Sequence, residues 1–312
     1  MICLTAIVTI KVAHGTPRLS LVSNDKCLNP SHRREWRQLS RDQKAKYISA
    51  VKCLHELPSK VTGNGRLSDD FPWVHRHIGS FTHDAASFLP WHRYFLHLYE
   101  LELRESCGYE GGLTFWDWTL DWEDPSQSPV WDPFTGFGGD GSLGEITTVG
   151  FGSCVRDGPF ANYEVHYYNF TTHPHCLSRG FSRQHENQQF YGDEFSPAVI
   201  ENIHQQEEFF SFSLGLEMGP HDAIPNLING DFFSFEAPND PLFFLHHTQL
   251  DRLWWLWQKE SPNRIREYNG RMESNSDQPA SVNDRLPMDS LGVTIEVQDV
   301  LSTESSTLCY VY

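Results

Sequence analysis

Sixteen histidines are many for 312 residues, and five of them sit where metal chemistry could be built. His75, His83 and His92 are separated by eight and nine residues, and His92 lies near the start of an amphipathic helix. His221 and His247 follow far downstream, the second within another aromatic-rich helical stretch. Around them stand large apolar side chains (Phe88, Leu89, Trp91, Phe95, Phe243, Phe244 and Trp254), which would keep water away from a bound ion. The donors are almost all imidazole. Carboxylates would point to magnesium, calcium or di-iron, and thiolates to zinc or iron–sulfur, whereas imidazole alone suits copper or zinc. A zinc hydrolase normally adds a carboxylate base and often a carboxylate ligand. Two all-nitrogen clusters on facing helices fit a pair of coppers that bind dioxygen between them.

The elements that would position these residues are mainly helical. The stretch 40–58 reads as a helix with Ser40 as N-cap, an apolar stripe at Tyr47, Val51 and Leu54, and Pro58 as its stop. A second helix spans roughly 90–106, with His92, Phe95, Tyr99, Leu103 and Ser106 on one face. Helical pattern returns at 196–212. The last strong helix follows APNDP: Asn239 or Asp240 caps it, Pro241 fits its first turn, and Phe243, His247, Leu250, Asp251 and Trp254 share a face. Between them, 121–195 is rich in Gly, Pro, Asp and Ser and reads as a long irregular insert with a short strand or two. The tail, 261–312, is polar and then β-like. Two segments, FLPWHRYF and FFLHHTQL, give the chain a rough two-part symmetry. The expected fold is mainly α, an antiparallel four-helix bundle holding a dinuclear metal centre, with long irregular loops and a few short strands.

A formal charge of −17 excludes nucleic acid and anionic lipid as natural partners. No run of eighteen apolar residues exists to span a membrane. Residues 1–15, MICLTAIVTIKVAHG, are short, apolar and end in small residues, so they are read as a secretory signal peptide, leaving 16–312 as a single domain. Cys3 lies inside that segment. The other six cysteines (Cys27, Cys53, Cys107, Cys154, Cys176 and Cys309) make an even set, as three disulfides of an exported protein require. Cys154 with Cys176 is the favoured pair, because both lie in the loop-rich insert. Asn169-Phe170-Thr171 is the single glycosylation sequon.

Two long stretches then carry a resemblance. DDFPWVHRHIGSFTHDAASFLPWHRYFLHLYELELRESCGYEGGLTFWDW is similar to the first copper motif of the fungal tyrosinase and catechol oxidase (polyphenol oxidase) family. LEMGPHDAIPNLINGDFFSFEAPNDPLFFLHHTQLDRLWWLWQ resembles the second. The final Tyr310-Val311-Tyr312 is similar to the tyrosine motif that closes the catalytic core, and no C-terminal shielding domain follows it, as in a short or processed form. The resemblance implies that His75, His83 and His92 bind the first copper, and that His221 and His247 are the first and third ligands of the second. It implies that His246 stands behind the ligands, towards the substrate. Glu217 matches an acid that orients a water near the coppers, and Asp222 lies where relatives often hold an Asn that works with that acid. Phe81 occupies the place of a cysteine that in some relatives forms a thioether with the second ligand, which this chain therefore cannot form.

The departure is Pro225, where the family carries its second ligand to the second copper. Proline offers no side-chain donor. Three arrangements are open: two histidines only, substitution by Asn226 or Asp222, or a histidine distant in sequence such as His204 or His185. Asn226 is preferred, being adjacent and neutral, although it sits about 100° off the face of position 225. The implied reaction is oxidation of an o-diphenol to an o-quinone, with dioxygen reduced to water, by a secreted, monomeric polyphenol oxidase. It would hold two copper ions and take dioxygen and a small phenol as partners. Glu217 and Asp222 would manage the proton, and Phe232, Phe233 or Phe235 would stack on the substrate ring or gate its access. The alternatives are a tyrosinase-type monophenol hydroxylase, a copper-depleted binding homologue, an oxygen carrier and a zinc hydrolase.

Overall fold

The computed structural model describes residues 27–142, 148–181 and 192–312; the expected signal peptide, Cys3 and His185 lie outside them. The chain is mostly helical. Helix α1 (Arg41–Leu54) starts at a full capping box, in which Ser40 accepts from the Gln43 amide and Gln43 accepts from the Ser40 amide. It buries Tyr47, Val51 and Leu54 as the apolar stripe requires. Helix α2 (Leu67–His77) carries His75. The apolar periodicity does not announce it, because Pro72 lies inside and two acidic and three basic residues interrupt the stripe. Helix α3 (Phe88–Glu105) carries His92 and is buried along most of its length.

Past the insert come α4 (Pro197–His204) and α5 (Phe209–Leu216), then a π-helical turn at Glu217–His221 that runs without a break into α6 (Asp222–Ile228). Pro220 lies in the widened turn. Its missing N–H and its ring's clash with the carbonyl four residues back are what a π-bulge relieves. Helix α7 (Leu242–Lys259) carries His246 and His247. Asp240 caps it from the side chain, accepting from the Leu242 amide at 3.0 Å, while the same carboxylate holds buried Arg179 at 2.7 and 2.9 Å.

Strands are few and short. Ser31–His32 pairs in parallel with Tyr310–Val311, and Arg34–Glu35 with Thr114–Phe115. The insert contains a hairpin, Glu164–Tyr168 with Thr171–Cys176. Its two-residue tip, Asn169-Phe170, has positive φ at both positions (50° and 63°), the conformation that matches strand twist. Disulfides join Cys27 to Cys309, Cys53 to Cys107, and Cys154 to Cys176. The last is the pair favoured from the sequence.

One buried polar network ties α3 and α7 to both chain ends. Asp251 of α7 accepts from Arg93 of α3, from Arg33 at 3.2 Å, from Tyr310 at 2.6 Å and from Tyr312. Arg33 also donates to Glu100 at 2.6 Å. The Arg93 guanidinium lies 3.5 Å over Trp254 and caps the Val300 and Leu301 carbonyls at 3.1 and 3.0 Å. Burial alone would raise the Asp251 carboxyl, but Arg93 and Arg33 outweigh it and hold it below its ordinary value. Its contribution to stability is therefore present above the unfolded pKa of about 4 and is lost as pH falls through the lower folded value. Asp251→Asn is expected to cost about 3–5 kcal/mol in denaturant unfolding, since it leaves the buried Arg93 guanidinium without a carboxylate and Arg33 with Glu100 alone, and to flatten the loss of stability on the acid side.

Candidate metal centre

Three backbone carbonyls set the first cluster. His75 Nδ1 donates to Phe235 O at 2.6 Å, His83 Nδ1 to Gly79 O at 2.9 Å, and His92 Nδ1 to Phe88 O at 2.8 Å. A carbonyl can only accept, so each ring carries its proton on Nδ1 and presents the bare Nε2 to the centre. The three ring centroids form a nearly equilateral triangle with sides of 5.4, 5.3 and 5.2 Å. His75 Nε2 and His92 Nε2 are 3.2 Å apart. With both protons already on Nδ1, two lone pairs face each other there. That spacing suits two imidazole nitrogens each about 2 Å from one ion. Burial pushes His75 down to about 4 and holds His83 and His92 well below their usual value, so all three are neutral, as ligands must be. Gly79 permits this approach: a Cβ there would lie 2.8 Å from Trp91 and 3.1 Å from His75.

The second cluster comprises His221, from the π-turn, and His246 and His247 of α7; one nitrogen from each lies within 4.8 Å of the others. The Asp222 carboxylate takes His221 Nδ1 at 3.0 Å, again leaving Nε2 free. His247 stacks on His92 (4.4 Å, 13°), and His83 lies 5.5 Å from His221, so the clusters face each other. Phe88 touches both His92 and His221, and Phe243 lies 4.1 Å from His247.

A cavity of about 620 Å³ opens over the histidines, within the usual range for small-molecule sites. His75, His83, His221 and His247 line it, with Asp222, Pro225 and Asn226 on one wall and Phe232, Phe233 and Phe235 on another. Phe232 is buried and Phe233 half-exposed. Arg76, Tyr168 and Asn169 form the far rim. There Arg76 pairs with Glu236 at 3.5 Å and lies 3.4 Å over Phe170, whose amide donates to the same Glu236 at 3.1 Å.

The structure brings His75, His83, His92, His221 and His247 together, and places the other expected residues differently from one another. Asn226 is exposed, and its Nδ2 donates to the Asp222 carbonyl at 2.7 Å, a bond along its own helix. His204 is in neither cluster; it pairs with Glu260 at 3.6 Å. Asp222 touches His221 directly. Glu217 does not line the cavity. It is buried behind it, accepting at 2.8 Å from the amide of Asp84, next to His83. His246 is fully buried, away from the cavity, and faces His221, Trp118 and Phe232. Sequence reasoning missed the Phe235 carbonyl and the rim formed by Arg76, Tyr168 and Asn169; no sequence spacing signals either, since both join distant segments. The donor set fits copper: two sets of imidazoles, apolar surroundings, and buried ring nitrogens of His246 and His247 that find no hydrogen-bond partner among the described residues.

A family model described as the common central domain of tyrosinase matches residues 48–260. The chain is 43% identical to the tyrosinase-like protein phomQ1 of Diaporthe leptostromiformis, over 96% of its own length and 82% of the relative's. It is 42% identical to tyrosinase ustQ of Aspergillus flavus, over 92% and 80%. Among solved structures, a mutant polyphenol oxidase from Thermothelomyces thermophila superposes with a TM-score of 0.75 at 28% identity, covering 91% of this chain and 88% of that one.

Burial pushes the Glu217 carboxyl up from 4.5 to about 8, and the Asp84 amide offsets only part of this. In copper-free protein the folded state thus keeps a proton that the unfolded state has lost. Stability should fall as pH rises from about 4.5 to about 8, by up to about 1.4 kcal/mol per unit from this group. Denaturant titrations of copper-free Glu217→Gln should lack that slope.

Proposed function

The chain belongs to the tyrosinase family, and on that premise we propose that it is a polyphenol oxidase of the catechol oxidase kind, converting o-diphenols and related phenols to o-quinones. The observation that carries this reading is the pair of facing histidine clusters beneath an aromatic-walled cavity. His75, His83 and His92 would hold one copper; His221 and His247 would supply ligands to the other, within an antiparallel bundle formed by α2, α3, α5–α6 and α7. Bound copper would supply the redox chemistry, four electrons and four protons from two o-diphenols reducing one dioxygen to two waters.

The chain's own residues do the rest. Phe232 and Phe233 offer ring faces that orient a phenol, with Phe233 at the mouth. Burial beneath Phe88 and Phe243 excludes water from the imidazoles. Asp222 fixes the His221 ring, so Nε2 faces inward. Glu217 would take the phenolic proton through a water only once the positive charge of bound copper has offset the burial that raises its carboxyl. Three disulfides support an exported protein, and no described helix is long and apolar enough to cross a membrane.

Copper-reconstituted protein in an oxygen electrode should oxidise a catechol several-fold faster than it hydroxylates the matching monophenol; equal rates would sink the catechol oxidase assignment. His92→Ala and His247→Ala should each reduce turnover by more than about 100-fold, a greater loss than removing a group behind a ligand causes, and should lower bound copper in metal analysis.

A further inference from the structure

His221 has no histidine one helical turn ahead of it. Position 225 lies on the same helix face and on the cavity wall, but proline offers no donor. Unless another side chain contributes, the second cluster has two ligands, His221 and His247.

His246 is placed to be that side chain. Successive residues on a helix point about 100° apart. His247 takes the direction towards α3, where it stacks on His92, so His246 takes the direction towards the 209–228 helix, where its ring lies 5.8 Å from His221 at 26°. The triangle of His221, His246 and His247 has sides of 5.8, 5.2 and 5.1 Å. It nearly repeats the first triangle of 5.4, 5.3 and 5.2 Å.

The second observation is independent of shape. The His246 side chain is fully buried, and neither ring nitrogen has a hydrogen-bond partner among the described residues. The rings of Trp118 and Phe232 nearby offer it no acceptor. Leaving a buried polar ring unmatched is costly, and a histidine bears that cost without return unless something accepts its lone pair. Asn226, by contrast, is exposed, and the bond from its amide nitrogen to the Asp222 carbonyl holds the side chain along its own helix.

We propose that His246 is the third ligand of the second metal, so that the ion is held by His221, His246 and His247, and an adjacent pair on one helix takes the place of a pair spaced by a turn. This rests on the copper oxidase reading above. It also leaves the wall at Pro225 free of any ligand, so that wall belongs wholly to the substrate cavity.

The test is copper stoichiometry after reconstitution with copper salt and dialysis, read with the electron paramagnetic resonance of the cupric protein, in which a coupled pair is silent and a lone ion is visible. Wild type should hold two coppers per chain and be silent. His246→Ala and the closer-sized His246→Asn should each hold one and show a lone-ion signal. Asn226→Ala should hold two. Adding Pro225→His to His246→Ala, which restores a donor one turn after His221, should return the second copper. Wild type without copper would overturn the oxidase reading itself. Two coppers in wild type and in either His246 variant would overturn the ligand assignment alone, as would loss of a copper from Asn226→Ala with none lost from the His246 variants. Should His246→Ala fail to show wild-type far-ultraviolet circular dichroism, His246→Asn decides.

Discussion

The contact between Arg93 and Asp251 fixes the site. Each is tied in sequence to a histidine: Arg93 follows His92 directly, and Asp251 comes one turn after His247. A helix that slips by one residue moves about 1.5 Å and turns about 100°. Such a slip would part the Arg93 guanidinium from its carboxylate and leave a buried charge without its counter-charge, at a cost of several kcal/mol. The charges can therefore be satisfied in one register of α3 against α7, and in that register the His92 and His247 rings stack at 4.4 Å. Arg33, Tyr310 and Tyr312 close over the same carboxylate, so the two ends of the domain take part in aligning helices from its middle.

With the helices in register, ring orientation is a local matter. In the first cluster each imidazole is turned by a carbonyl, two of them four residues back along the chain and one from a loop 160 residues away. Such bonds cost little to build, since helix and turn carbonyls are already at hand. They select one tautomer and one direction. In the second cluster only His221 has this support, from a carboxylate that is itself exposed. The two clusters are thus held by different means, one by backbone and one by packing between aromatic rings.

Much of this is legible in the sequence. Helices α1 and α7 announce themselves through caps and apolar stripes and α3 through its stripe alone, and five of the histidines through their spacing and their aromatic company. The pairing of Cys154 with Cys176 follows from their shared insert. Helix α2 is hidden because Pro72 and a run of charged residues break the periodicity that would mark it. The direction of His246 is hidden for another reason: in two adjacent histidines on a buried helix, sequence does not say which ring faces which neighbour. That is fixed by where the π-turn sets His221, and Pro220 hints at that turn only once the surrounding helix is known. The Phe235 carbonyl and the rim of Arg76, Tyr168 and Asn169 depend on loops meeting in space, which no local pattern encodes.

The insert's hairpin has a consequence of its own. Through Phe170 beneath the Arg76 guanidinium, and through their common partner Glu236, its tip is fastened to the helix that carries His75. The far side of the cavity is therefore built from a segment that supplies no imidazole. A changed residue at the hairpin tip would thus reshape the mouth of the cavity while leaving the residues of both histidine clusters in place.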